Sequence, residues 1–121
     1  MAACEQGYLC DVCGDEVSSI RESDLYLRYV TGQIDARSLL TAQERHLHCN
    51  PVSAQFIDAP EFQALQVDGP FSRDELDADY VREQTVLMTR GWQRLQEIAE
   101  LQQSVAIAEY PLPEFRRKAP C

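Results

Sequence analysis

Cys10-Asp11-Val12-Cys13-Gly14 and His46-Leu47-His48-Cys49 restrict the fold of this chain more than any other segments. Cys-x-x-Cys followed by glycine bends the backbone so that two thiols point to one spot, and Gly14 can take the positive φ that such a turn favours. In the second segment His46 and Cys49 stand three apart and can converge from one helical turn or a tight loop. His48 and Cys49 are adjacent and point apart. The spacing predicts one metal centre formed by Cys10, Cys13, Cys49 and His46, with His48 as the alternative to His46. Three thiolates and an imidazole are the donor set of a closed tetrahedral zinc site. One structural zinc is therefore the expected cofactor. An iron–sulfur cluster that recruits Cys4 is the alternative. A redox Cys-x-x-Cys normally sits in a βαβ setting, and no such pattern surrounds this one.

The remaining composition narrows the function classes. The 121 residues suit a single domain, 1–121, and carry a net charge of −9, from 20 acidic and 11 basic residues. Nucleic-acid binding draws most of its affinity from basic surface, so nucleic acid is a disfavoured partner. The one basic run is Arg116-Arg117-Lys118. There is no secretory leader pattern at Met1 and no apolar run long enough to span a bilayer. A cytoplasmic location with no membrane partner is expected, in which Cys-x-x-Cys spacing points to metal rather than to disulfides. Phosphate loops, zinc-protease motifs and nucleophile elbows are absent from the sequence. The acids Asp74, Glu75, Asp77 and Asp79 lack the offsets of a calcium loop.

Periodicity and punctuation predict a mainly α fold with a small β element, an α+β chain. Residues 8–17 read as two short arms around the Cys-x-x-Cys turn. Residues 23–31 read as a helix capped at Ser23 or Asp24 and ended by Gly32, and 35–40 as a second short helix. Thr41 to Glu44 has capping-box spacing and is expected to open a turn carrying His46, with Glu44 as a candidate base if the metal were catalytic. Asn50-Pro51 predicts a helix over 51–57 with Val52 and Phe56 inward. Residues 63–67 are expected to form a strand. The metal-stabilised part thus spans 8–70.

A long helix is predicted over 78–109, with Val81, Met88, Trp92, Leu95 and Ile98 on its apolar stripe. At ~1.5 Å per residue it would run ~45 Å, longer than a compact domain of this size. It should project, bend at Gly91 or meet a partner. Pro111 stops it, leaving an extended tail over 110–121. Trp92, Leu112, Phe115, Arg116 and Arg117 are the candidate partner-binding residues.

The Cys-x-x-Cys-Gly turn resembles a zinc knuckle. With His46 and Cys49 leading into a helix at Pro51, residues 8–58 resemble treble-clef zinc domains, in which a knuckle gives two ligands and a helix start gives two. The resemblance implies a structural zinc and no particular activity. The expected function is a non-enzymatic, zinc-stabilised interaction module, a small subunit or adaptor binding protein partners through the long helix and tail. A nucleic-acid-binding regulatory zinc protein is the first alternative. A small metal- or redox-dependent enzyme, or an electron-transfer protein, is the second.

Overall fold

The computed structural model describes residues 8–101 and 105–116. It is mainly α, with one two-stranded antiparallel hairpin near the start. Strand β1 (Tyr8–Leu9) pairs with β2 (Glu16–Val17), with Tyr8 opposite Val17 and Leu9 opposite Glu16. The Cys-x-x-Cys segment forms the hairpin's tip. There Gly14 N–H donates to the Cys10 carbonyl at 3.0 Å, and Gly14 adopts φ +82.

Helix α1 (Asp24–Val30) begins where the sequence says it should. Ser23 Oγ accepts from Tyr26 N–H at 3.0 Å, satisfying one of the orphan donors of the first turn. Its end is a Schellman motif: Gly32 N–H donates to Tyr29 O, Gln33 N–H donates to Arg28 O, and Gly32 takes φ +80. A 3₁₀ turn follows at Ala36–Leu40, capped by Asp35.

The next segments depart from expectation. Helix α2 (Pro51–Ala54) is a single turn rather than a helix to Ile57. Asn50 makes no capping bond and instead donates Nδ2–H to Asp24 Oδ1 at 3.0 Å. After Ala54 the bonds tighten to i→i+3, Phe56 N–H on Ser53 O and Ile57 N–H on Ala54 O, and the α-helix ends. Phe56 and Ile57 still reach the core, but Val52 is exposed. The expected strand at 63–67 does not form. Both strands of the hairpin pair only with each other, and Phe62 and Leu65 pack on the core instead.

Helix α3 (Ala78–Leu101) is the longest element. Its 24 residues span about 36 Å. It runs unbroken through Gly91, which faces α1 instead of bending the helix. A Cβ at Gly91 would lie 2.5 Å from Thr31 Cγ2 and 3.0 Å from Leu27 Cδ1. This close approach lets Met88, Trp92, Leu95 and Ile98 meet Leu27 and Val30 in one apolar core. The helix does not continue to 109. A 3₁₀ turn at Ile107–Glu109 belongs to a returning segment.

The tail also departs from expectation, because over its described residues, 110–116, it folds back and closes in a 3₁₀ turn instead of running extended. Arg94 donates to the Tyr110 and Glu109 carbonyls, and Tyr29 Oη–H donates to Ile107 O at 2.8 Å. Leu112 N–H donates to Val30 O at 3.0 Å, and the Leu112 side chain is buried. The turn Pro113–Phe115 closes the strap with an Arg90–Glu114 ion pair. Among the described residues no helix is long and apolar enough to cross a membrane.

Candidate metal centre

The hairpin tip and the loop before α2 meet at one point. One donor atom each from Cys10, Cys13, His46 and Cys49 lies within 4.8 Å of the others. The hairpin supplies the first two. The 3₁₀ turn Leu47–Cys49, closed by Cys49 N–H on the His46 carbonyl at 3.0 Å, brings the last two together.

His46 turns Nδ1 toward the sulfurs, 3.3 Å from Cys13 Sγ and 3.9 Å from Cys49 Sγ. With metal–sulfur bonds of ~2.3 Å and metal–nitrogen bonds of ~2.0 Å, the edges of a tetrahedron come to ~3.5–3.8 Å. The two Nδ1–sulfur separations bracket the nitrogen–sulfur edge, and the full donor set, within 4.8 Å, is up to about 1 Å wider than a sulfur–sulfur edge. The opposite ring nitrogen, Nε2, lies 3.0 Å from the Glu16 carbonyl and 3.6 Å from Glu22 Oε1. A proton on Nε2 donates to the Glu16 carbonyl, with the Glu22 carboxylate nearby, and leaves the Nδ1 lone pair for a metal. His48 does not join the cluster. It is exposed, and its ring stacks on that of His46 at 4.8 Å.

The sulfurs are prepared for ionisation unequally. Burial alone would raise the Cys10 thiol, but N–H groups of Cys13, His46 and Val12 and the His46 side chain outweigh it and bring it down to about 6. Val12 and His46 N–H stand 3.4 and 3.5 Å from Cys10 Sγ. Cys49 is pushed up to about 12, first by burial and then by its hydrogen bonds to, and the charge of, Cys10 and Cys13. Thiolates this close repel one another unless a cation sits among them. A divalent ion removes that repulsion, so the donor set fits a soft metal such as zinc.

The loop that carries His46 is fixed by contacts that the sequence does not announce. Asp11 N–H donates to Glu44 O, Asp24 N–H donates to Arg45 O, and Ser23 forms a bridge with His46. Arg45 grips the Asp11 carboxylate with two bonds of 2.8 and 2.9 Å. Glu44 is not the capping partner of Thr41. Its carboxylate, 2% exposed, accepts from Ser23 Oγ at 2.8 Å, Leu25 N at 3.2 Å and Arg45 N at 2.8 Å. Burial raises its pKa, against the pull of those donors. Glu44 thereby welds the ligand loop to the start of α1. No local signal marks this role, because Ser23 and Leu25 lie 21 and 19 positions away in sequence.

The other candidate residues are spread out. Trp92 is buried on α3, edge-on to Phe62 at 5.6 Å. Leu112 is 6% exposed. Neither is available to a partner in this conformation. Phe115 rests on Gly32 and is 39% exposed. Arg116 is exposed, with Nε–H on the Pro111 carbonyl. Arg117, Lys118, Cys4 and Cys121 lie outside the described residues. Compared with known proteins, the chain matches no family model, no curated protein and no solved structure.

Proposed function

We propose that Cys10, Cys13, Cys49 and Nδ1 of His46 hold one structural zinc ion, and that the chain is a non-enzymatic interaction module serving as a small subunit or adaptor. The observation that carries the metal reading is the convergence of three sulfurs and an imidazole nitrogen within 4.8 Å, with the second nitrogen of His46 held by the Glu16 carbonyl. Four protein ligands fill a tetrahedral shell and leave no position for substrate, which favours a clasp over a catalyst. The knuckle and treble-clef resemblance agrees with this donor arrangement. Free thiolates of this kind suit a reducing compartment such as the cytoplasm.

The adaptor part rests on exposed apolar side chains that are not among the four donors. Val52, Phe71 and Tyr80 gather around the Gln55–Phe56 corner and are all exposed. Large apolar side chains exposed near one another favour a protein contact. The test is elemental analysis of the purified chain, joined to a partner screen in its native host. One zinc per chain, and a co-purifying protein that Phe71→Asp releases, are the expected results. Iron with visible absorption, or a chain without bound metal that is fully folded, overturns the metal reading. A chain that runs as a free monomer with and without Phe71→Asp overturns the adaptor reading.

A further inference from the structure

A cleft of ≈ 710 Å³ lies between the turn after α1 and the returning C-terminal strap, on elements that contribute no metal ligand. Its volume falls in the range of small-molecule sites. The walls are mostly apolar, formed among others by Tyr29, Ile34, Ile107 and Phe115. Ile107 and Phe115 remain 44% and 39% exposed there, large apolar surfaces that the fold itself does not cover. The wall is preformed: Phe115 is seated where a Cβ on Gly32 would stand, 2.5 Å from its Cδ1.

The charge at this cleft is also unusual. Every other arginine among the described residues is engaged by a carboxylate, a carbonyl or both. Arg37, which lines the cleft and is exposed, has no such partner among the described residues. Asp35 on the same wall is a charged neighbour, and its Oδ1 accepts from Ser38 N and Oγ at 3.0 Å each. Arg37 therefore keeps its N–H donors available to an anionic ligand at the cleft, in a chain of net charge −9.

We propose that this cleft binds a small amphipathic carboxylate, a medium-chain alkanoate in chemical class, with its carboxylate on Arg37 and its chain against Ile34, Ile107 and Phe115. A guanidinium takes a carboxylate through two parallel hydrogen bonds, and burial of the chain covers the apolar wall. The overall charge attracts cations without specificity, so a preference for the anion must come from the site itself. The proposal does not depend on the metal reading.

The test is a titration of the full ¹⁵N-labelled chain with decanoate, followed by amide shifts, beside the same titration with decyltrimethylammonium. Decanoate is expected to give saturable shifts at residues 32–37 and 107–115 below about 1 mM, and the cation none there. Arg37→Gln, an exposed substitution, should weaken decanoate by about tenfold or more. Ala36→Trp, which fills the cleft from its exposed rim, should abolish the shifts. No saturable shift at those amides, equal effects of anion and cation, or unchanged affinity in Arg37→Gln overturns the proposal.

Discussion

At the scale of single residues, His46 and His48 divide a task that the sequence leaves open between them. Both rings lie at the site, but only His46 presents a nitrogen to the sulfurs, while His48 covers its outer face. His46→Ala should therefore lose the bound metal. His48→Ala should keep one ion per chain, with affinity lowered by less than about tenfold, since it removes stacking and not a ligand. Metal content after gel filtration distinguishes the two. Gly91 is decided by sterics. Alanine gains roughly 1 kcal/mol in helix propensity over glycine. Its methyl group, however, would sit 2.5 Å from Thr31 Cγ2, a buried β-branched side chain with little room to yield. Overpacking of this kind costs about 1–3 kcal/mol. Gly91→Ala should thus be net destabilising by about 1 kcal/mol, measured by urea unfolding.

At the scale of elements, the local signals were readable and the long-range ones were not. Gly14 at the hairpin tip, Ser23 and Gly32 at the two ends of α1, and the His46–Cys49 spacing act over a few residues, and each appears where its chemistry predicts. Glu44 could not be read in this way, because its acceptor atoms serve donors on α1 and its neighbour Arg45 at once. Glu44→Ala leaves Ser23 Oγ and Leu25 N–H unsatisfied in a buried place. Hydrogen bonds to a charged acceptor contribute about 1.5–3 kcal/mol each, so a loss of about 2–4 kcal/mol is expected from thermal or urea unfolding. The strap escapes the sequence for the same reason: Pro111 stops the helix and predicts an extended tail, while the ties that fold it back reach Tyr29, Val30, Arg90 and Arg94. One of these ties titrates. Arg90 beside Glu114 holds its carboxyl down at about 2, through side-chain hydrogen bonding first. A depressed carboxylate stabilises the fold above its unfolded pKa and loses that contribution as pH falls through the folded one. Strap closure should therefore weaken between about pH 4.5 and about pH 2, seen as faster amide exchange at Leu112 and Phe115. Glu114→Gln should remove that pH dependence. An unchanged profile in Glu114→Gln would assign the effect to another group.

At the scale of the whole molecule, the four donors sit at one end of a core that does not depend on them for its contacts. Leu25, Leu27 and Val30 of α1 interlock with Leu95 and Ile98 of α3, all essentially without solvent exposure, and none lies among the four donors. The hairpin is different. Two residue pairs cannot sustain an isolated hairpin in water, and beyond the four donors its described ties to the rest are few. They are the Asp11–Arg45 pair, the Asp11 bond to the Glu44 carbonyl, the Glu16 carbonyl on His46 and buried Val17. A structural metal contributes its binding free energy to whatever it orders, so in this chain it should order the hairpin and the 44–49 loop far more than the α1–α3 pair. Chelation with 1,10-phenanthroline is then expected to act in a graded way. Amide protection should collapse at residues 9–17 and 44–49, while Leu27, Val30, Leu95 and Ile98 keep most of theirs and far-ultraviolet helicity falls only slightly. Re-addition of zinc should restore the lost protection. Uniform loss across α1 and α3 would mean that the metal supports the whole core, and no change at the hairpin would mean that Arg45 and Val17 hold it without an ion.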